Sequence, residues 1–328
     1  RAAMLCGFAL LFLVVPFVSS PYLLYVINLT GITAIGALGL NILIGFTGQI
    51  SLGHGAFIGV GAYGAAILAT SWNLPLFVSL PMAGILTAAV GMIFGVPSVR
   101  LKGLYLAIAT LAGQFIIEYV LIQWEGLTQG TQGIVLPEPS LFGLSISGDR
   151  AFFFLIFALV VLMTWMAKNL FRTRSGRAFM AIRDNDRAAE GMGIPIFPYK
   201  LLAFGISSFY AGIAGALWAY YTMSITPEPF NLDLSIEYIA MVIIGGLGSI
   251  TGSIFGAVFI SALNEILRSL SDILTNLPAL QGLDLNPAAL RQFVFGLAIV
   301  LFILFEPKGL AEVWRVIRSS FRLWPFSY

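Results

Sequence analysis

The most polar stretch of the chain is the segment 168–200, which could form a docking element for another protein. Good helix formers run from Arg177 to Arg183, and the next three residues, 184–186, are of the types that cap the start of a helix. They predict a second short helix over 187–192, which Gly193 and a proline two residues later would end. The pattern therefore predicts a compact helix–turn–helix.

A helix–turn–helix with exposed arginines and small alanines is suited to docking in a groove on a second protein. The alternative is a solvated basic loop that has no partner. The docking hypothesis places the contacts at Arg177, Ala181, Ile182, Arg183, Asp184, Asn185, Asp186, Ala188, Ala189, Glu190 and Gly193.

A second group of polar side chains lies within or beside long apolar runs, where it could line a path for a polar solute. A carboxylate inside a membrane is energetically expensive, so such residues are functional candidates. The candidates are Asn41, Gln49, Ser51, Gln114, Glu237 and Asn264. Tight packing with local hydrogen bonds is the alternative for each. Glu118 and Glu237 are expected near the outer ends of their helices, and His54 is expected to be packed or interfacial.

Composition disfavours most catalytic and metal sites. Cys6 and His54 are the only residues of their types, so a disulfide framework, a cysteine cluster or an all-histidine metal site is not available. Cys6 is interpreted as a small buried hydrophobe. No G-x-x-x-x-G-K-[ST] sequence occurs, so the chain lacks the phosphate-binding loop of an ATPase. A non-catalytic chain that binds no cofactor of its own is expected.

The elements that position these residues are long apolar runs. Of the 328 residues, 59% are apolar and 10% are charged, and the mean hydropathy is +0.95. A bilayer core about 30 Å thick needs about 17–25 apolar residues per helix, whereas a barrel shows alternating segments of roughly ten residues. Ten spans result: approximately 3–19, 22–45, 52–70, 76–96, 103–123, 151–168, 201–221, 236–247, 253–269 and 291–306. The first has the alternative of a cleaved signal peptide.

The prediction is an all-α, polytopic membrane bundle that forms one domain over 1–328, with 169–200 as a loop within it. Placing the N-terminus in the cytoplasm puts 14 of the 17 Lys and Arg residues on the cytoplasmic side. The exceptions are Arg150, Arg268 and Arg291. The positive-inside rule therefore predicts that both termini and the 169–200 loop are cytoplasmic. The lipid bilayer, and not nucleic acid, is the partner that this composition indicates.

Two glycine-rich stretches resemble each other. Residues 44–51 and 244–251 share Ile, two Gly, a second Ile and a hydroxyl residue in register, although chance could produce this in glycine-rich sequence. The run 236–247 is also too short to cross a bilayer alone. Glycines permit a helix break or a close approach of helices. Together these features predict broken or re-entrant helices paired around a path at membrane depth.

Five segments in order along the chain, 39–57, 176–195, 199–204, 211–216 and 305–310, resemble the permease subunits of branched-chain amino acid ABC transporters, the LivM type. The resemblance covers most of the chain, from about residue 36 to 310. It implies the fold of an ABC importer permease in a bacterial cytoplasmic membrane, and import of branched-chain or related amino acids.

The same resemblance implies partners: a second homologous permease, two cytoplasmic subunits that bind ATP and Mg²⁺, and a periplasmic substrate-binding protein. The segment 181–193 matches the coupling segment that seats on an ATPase subunit. The general pattern there is E-A-A followed three residues later by Gly. This chain has Ala188-Ala189-Glu190 with Gly191 and Gly193, which leaves the exact contact residues open.

Three rival readings remain from the sequence. Related permeases carry urea, short amides or other amino acids, and nothing in the chain identifies the side chain of a substrate. An ion-driven secondary transporter or channel would need acidic ion sites at mid-membrane and gives no reason for a docking loop. A membrane enzyme would need a convergent set of His, Asp, Glu or Ser residues within the spans.

Overall fold

The computed structural model describes residues 15–141, 144–145, 148–275, 287–305 and 309–323, and these residues are mainly helical. The α-helices of this part are α1 (Pro21–Thr47), α2 (His54–Thr70), α3 (Leu76–Gly95), α4 (Leu104–Gln123), α5 (Glu125–Thr128), α6 (Asp149–Leu170), α7 (Arg174–Asp184), α8 (Asp186–Gly191), α9 (Ile196–Thr222), α10 (Leu232–Gly245), α11 (Ile250–Thr275), α12 (Pro287–Phe305) and α13 (Leu310–Leu323). Short 3₁₀ helices cover Val96–Val99, Gly130–Gln132 and Glu228–Phe230.

Two very short antiparallel strand pairs complete the described part. β1 (Ile134–Val135) pairs with β4 (Ser224–Ile225), and β2 (Ser140–Leu141) pairs with β3 (Leu144–Ser145). Six of the described helices are long and apolar enough to cross a membrane: α1, α3, α4, α6, α9 and α11. The predicted class, a helical membrane bundle, is confirmed, whereas the number of ten spans stays a prediction. The predicted span 3–19 lies outside the described residues, apart from its last five.

Helices α1 and α9 form the centre of the bundle. In each of them 72% of the most apolar window is buried, against 28% for α6. α9 packs along α1, α2 and α3. A Cβ atom on Gly61 of α2 would lie 2.4 Å from the Cα of Gly212 on α9. Without a side chain at either position the two backbones approach closely, which is how helices gain packing contacts in a membrane.

The periphery of the bundle is apolar. Phe115 and Ile116 on α4 and Trp165 on α6 are more than half exposed. A soluble protein rarely exposes so many large apolar residues, but a lipid-facing surface requires them. The outer faces of α4 and α6 are therefore suited to contact lipid.

The chain re-enters the bundle after α1. Gly48, with φ of +68°, ends α1, and the N–H groups of Gly48 and Gln49 bond to carbonyls of the last turn. Residues 48–53 then run back alongside α1, since His54 Nε2 lies 2.9 Å from the carbonyl oxygen of Gly36. Gly36 is eleven residues before the end of α1, about 16 Å along a helix. Helix α2 therefore starts deep in the bundle.

Helix α10 also starts deep in the bundle and is too short to span it. Its 14 residues cover about 21 Å, less than the roughly 30 Å of a bilayer core. After Gly245 the chain turns through Gly246 and Gly248, both with positive φ, and α11 returns along α10. Gly245 faces Gly252, and a Cβ on Gly256 would lie 1.8 Å from the carbonyl oxygen of Met241. The 236–252 region thus contains a tight hairpin between α10 and α11, and its predicted re-entrant character stays a prediction.

Candidate functional site

The start of α2 and the start of α10 meet at Gln114, in the middle of α4. Gly53 has no side chain that could cap α2, so the first N–H groups of this helix need other partners. The Ala56 N–H donates to Gln114 Oε1 at 2.8 Å, and the Gly55 N–H donates to Ser235 Oγ at 2.8 Å. Gln114 Nε2 donates to the carbonyl oxygen of Phe230, 2.7 Å away, just before α10. One buried amide therefore holds two helix starts together.

Gln114 was predicted to line a path, and the structure places it at this junction, fully buried and with both amide atoms engaged. Ser235 Oγ adds a bond to Gln114 Oε1 at 3.1 Å, and Thr110 Oγ1 accepts from the Leu52 N–H at 2.9 Å. Sequence reasoning missed Thr110 and Ser235, because their partners lie far away along the chain.

Asn41 joins the two glycine-rich stretches that the sequence paired. Its Oδ1 accepts from the Gly248 N–H at 2.9 Å, and its Nδ2 donates to the Ser249 carbonyl at 2.8 Å and to Ser253 Oγ at 2.7 Å. Gly45 lies against Gly248 so closely that a Cβ would be 2.4 Å from its nitrogen. The end of α1 and the turn between α10 and α11 are thus in direct contact.

The other buried candidates lie in or just after the turn that follows α1. Ser51 Oγ accepts from the Gly53 N–H at 3.4 Å, and Gln49 Nε2 donates to Thr47 Oγ1 at 3.2 Å. His54 is packed, as expected, between the Gly36 carbonyl and the ring of Tyr238.

Glu237 and Asn264 lie together in a cleft between α10, α11 and α12. Asn264 Nδ2 donates to Glu237 Oε1, and Asp233 and Gln292 line the same cleft of about 380 Å³. The expectation that Glu237 lies near the outer end of its span stays a prediction. Because α10 begins at the Gln114 junction, Glu237 lies in its second turn.

The predicted helix–turn–helix is confirmed as α7 and α8. Asn185 separates them, and its Oδ1 accepts from the N–H groups of Arg187 and Ala188 at 3.0 and 3.1 Å. Of the three cap-type residues, Asn185 is the cap, while Asp184 ends α7 and Asp186 begins α8. Gly193, with φ of +80°, follows the second helix. The end of the bundle that carries α7 and α8 is called the basic end below.

The docking residues divide into a buried and an exposed group. Ile182 and Ala189, both named as docking contacts, are buried against the bundle together with Phe179. The side chains at Ala181 and Asp186 are partly buried. The exposed members are Arg177, Arg183, Asp184, Asn185, Ala188, Glu190 and Gly193. Met192, 71% exposed, was not selected from the sequence and lies on the same surface.

Two polar links fasten the helix–turn–helix to the bundle. Asp186 Oδ2 forms ion pairs with Lys102 at 2.6 Å and with the buried Lys200, at the start of α9, at 2.9 Å. Partial burial raises the pKa of the Asp186 carboxyl, but the two lysines outweigh this effect and hold the pKa below its ordinary value. Arg183 Nη1 donates to the Gly45 carbonyl and lies 2.6 Å from where a Cβ on Gly248 would be. Arg183 therefore contacts both the end of α1 and the turn between α10 and α11.

Comparison with known proteins identifies the family. Residues 22–303 match the model of the family described as "Branched-chain amino acid transport system / permease component". The chain belongs to this permease family. The permease is 33% identical over 324 residues to the high-affinity branched-chain amino acid transport system permease protein LivM of Escherichia coli (strain K12), which covers 92% of the permease and 72% of that relative.

More distant relatives match as well. A probable branched-chain amino acid transport permease protein LivM of Methanocaldococcus jannaschii is 28% identical over 240 residues, or 72% of the permease and 68% of that relative. The autoinducer 2 import system permease protein LsrC of Escherichia coli O9:H4 (strain HS) is 25% identical over 260 residues, or 74% of the permease and 68% of that relative. No solved structure matches the permease. The apolar helices and these relatives indicate a multi-pass inner-membrane protein.

Replacing Asp186 by Asn should destabilise the permease by about 1.5–3 kcal/mol at neutral pH, because hydrogen bonds to a charged group are lost. The carboxyl pKa is lower in the folded than in the unfolded protein. The stabilisation is therefore present above the unfolded value, about 3.9, and is lost as pH falls through the folded value. Thermal midpoints of wild type and variant in detergent, compared at neutral and acidic pH, measure this difference. The exposed neighbour Asp184→Asn is the control, and an equal loss there would contradict the role of the ion pairs.

Proposed function

We propose that the permease is the non-catalytic transmembrane subunit of an ATP-driven importer for branched-chain amino acids. In this proposal α7 and α8 dock on a cytoplasmic ATPase subunit, the termini are cytoplasmic, and ATP and Mg²⁺ are bound by two ATPase subunits. A second homologous permease and a periplasmic substrate-binding protein complete the assembly. The observation that carries the proposal is the contact of Arg183 with both the end of α1 and the turn between α10 and α11.

This contact supplies a route from a docked ATPase to the membrane. A movement of α7 and α8 would reach the end of α1 and the α10–α11 hairpin through Arg183, and the start of α9 through Asp186 and Lys200. ATP binding can shift a population between inward-facing and outward-facing states only through such differential contacts. A rigid helix–turn–helix with buried Phe179 and Ile182 is suited to move as one piece.

The cleft of Glu237 and Asn264 is the part of the proposed path that this chain contributes. The carboxylates of Glu237 and Asp233 can accept hydrogen bonds from the ammonium group of an amino acid. The side-chain amides of Asn264 and Gln292 can donate hydrogen bonds to the carboxylate of the same amino acid. Polar groups at membrane depth are expected to face a path or another subunit, and not lipid. The second candidate is the same machine with another cargo, which is favoured by the similarity to an autoinducer 2 permease.

The proposed function is tested by uptake and by co-purification. Cells that lack their own leucine importers are expected to take up labelled L-leucine when the permease is expressed with its partner subunits. Tagged permease in mild detergent should recover a second permease and two ATPase subunits. Met192→Glu, on the exposed docking surface, is expected to reduce ATPase recovery and uptake at least about tenfold while leaving membrane insertion unchanged.

The matched control is Trp72→Glu, which changes a residue that is 66% exposed in the turn between α2 and α3. It should leave ATPase recovery at the wild-type level. Recovery of a solitary permease or a homo-oligomer, with uptake driven by an ion gradient, would refute the ATP-driven assignment and favour a secondary transporter.

A further inference from the structure

Helix α13 (Leu310–Leu323) carries apolar and basic residues on different faces. Its apolar residues recur at the spacing i, i+3, i+4 and i+7, which forms one stripe along the helix: Leu310, Val313, Trp314 and Ile317. Arg315 and Arg318, three residues apart, lie together on an adjacent face. The 14 residues reach about 21 Å, less than the roughly 30 Å of a bilayer core. A charged amphipathic helix of this length is suited to lie in a membrane interface and not to cross it.

The bundle covers only the first turn of the apolar stripe. Leu310 packs on the core, whereas Trp314 is 51% and Ile317 is 41% exposed. The Trp314 ring keeps one edge contact with the ring of Phe255 on α11, with the ring centroids 5.8 Å apart. Val316, beside the stripe, is 53% exposed. Within the described residues, the second half of the stripe is therefore largely uncovered.

The start of α13 lies at the basic end, beside the turn between α10 and α11. Gly309 precedes the helix with φ of +78°, and a Cβ there would lie 2.6 Å from the Cα of Gly246 in that turn. Gly248 of the same turn lies against Arg183 of the charged helix–turn–helix. Charged side chains are expensive at the centre of a bilayer, so a turn beside this helix–turn–helix belongs at the membrane boundary. α13 therefore begins at the depth where a lipid headgroup lies.

The charges of α13 indicate what covers its exposed face. Arg315 and Arg318 are exposed, and Arg315 uses one nitrogen on Glu312 of its own helix at 2.6 Å. The remaining N–H groups of both guanidinium groups can donate to phosphate oxygens. Tryptophan and arginine are both suited to an interface, because their apolar parts reach the acyl chains while their polar atoms stay among the headgroups. Three partly exposed apolar side chains provide less than the roughly 800 Å² per partner of a stable protein interface.

We propose that α13 lies in the membrane interface at the basic end and binds anionic phospholipid headgroups. Arg315 and Arg318 bind the phosphates. Trp314, Val316 and Ile317 contact the boundary between headgroups and acyl chains. Each arginine near an anionic surface should strengthen this binding about fivefold. The lipid site requires neither an ATPase nor a cargo, so it goes beyond the proposed function.

Bound lipid should also restrain the turn between α10 and α11, because α13 meets that turn at Gly309. A ligand that binds only the folded protein stabilises it by mass action. Phosphatidylglycerol is therefore expected to raise the thermal midpoint more in the wild type than in Arg315→Gln/Arg318→Gln. An equal rise in both proteins would refute the restraint of the turn.

The main test is fluorescence quenching of a label on α13 in the full chain. Ile317→Cys, in a Cys6→Ser background that leaves no other cysteine, carries an environment-sensitive fluorophore. The labelled chain is placed in nanodiscs of phosphatidylcholine alone or of phosphatidylcholine mixed with phosphatidylglycerol. Quenching by aqueous acrylamide is expected to fall at least about twofold when phosphatidylglycerol is present. High salt should restore the quenching, because it screens the charges.

Two pairs of arginine substitutions separate charge from structure. Arg315→Gln/Arg318→Gln should abolish the response to phosphatidylglycerol, whereas Arg315→Lys/Arg318→Lys should retain it. The matched control, Arg172→Gln/Arg174→Gln, removes two exposed arginines at the start of α7 and should respond like the wild type. The salt dependence is measured with both arginines of α13 in place, so it tests the lipid site even if the glutamine variant fails to fold.

Three results would overturn the lipid site. Equal quenching in the two kinds of nanodisc would show that anionic lipid is not bound. Equal shielding by inorganic phosphate in phosphatidylcholine nanodiscs would identify a site for a free anion. Shielding that appears only after ATPase subunits are added would identify α13 as a protein-docking surface. None of these measurements depends on transport, so the lipid site and the proposed function fail separately.

Discussion

Replacing Gln114 by Leu is expected to abolish most of the folded permease. Leucine fills a similar volume but leaves the Ala56 N–H and the Phe230 carbonyl unpaired in a fully buried place. Each buried group left without a partner costs about 1–3 kcal/mol. Two such groups together cost about 2–6 kcal/mol, and the upper end of this range exceeds the lower end of the roughly 5–15 kcal/mol stability typical of domains.

Fluorescence-detected size-exclusion chromatography after heating gives the measurement for Gln114→Leu. A large fall in the monodisperse peak and in the thermal midpoint is expected. Phe115→Ala changes the next residue of α4, which is 54% exposed on the lipid side, and should alter the midpoint only slightly. A Gln114→Leu variant as stable as wild type would show that the two helix starts do not depend on this amide.

Replacing Gly61 by Ala is expected to destabilise the bundle strongly. The added Cβ would lie 2.4 Å from both the Cα and the carbonyl oxygen of Gly212, and these backbone atoms cannot rotate away. The α2–α9 contact must open, which destabilises the bundle by about 3 kcal/mol, the upper end of the range for overpacking. Ala is otherwise the better helix former, so helix propensity alone predicts a gain.

The control for this prediction is Gly126→Ala in α5, where nothing lies within 4 Å of an added Cβ. Thermal midpoints in the same detergent should fall for Gly61→Ala and stay level or rise for Gly126→Ala. Equal midpoints for Gly61→Ala and wild type would mean that the close packing of α2 on α9 is not required.

Both changes concern the start and packing of α2, and this has a physical reason. A helix that begins inside a membrane bundle has no water for its first N–H groups, so protein side chains must replace it. The same requirement at α10 is met in part by Asn231, whose Oδ1 accepts from the Leu234 N–H at 3.2 Å. Deep helix starts are therefore stabilised by specific polar partners, and apolar burial alone does not suffice.

The sequence by itself determined the local features. Apolar runs of sufficient length defined the spans that appear as α1, α3, α4, α6, α9 and α11, because lipid requires every backbone group to be bonded within the helix. The cap-type residues around Asn185 predicted α7 and α8, since a cap acts within three residues along the chain. The motifs along the chain also indicated the family that the comparisons confirm.

Only the tertiary structure decided what the polar candidates contact. Gln114 bonds to Phe230, 116 residues away, and Asn41 to Ser249, 208 residues away, and no periodicity encodes such distant partners. The depth of α10 was also inaccessible, because an apolar run shows how long a helix is but not where in the bundle it starts. Arg183 was predicted as a docking contact, and only the fold showed that it also contacts the end of α1 and the turn between α10 and α11. Local spacing determines helices and caps, whereas polar partners at membrane depth depend on how those helices pack.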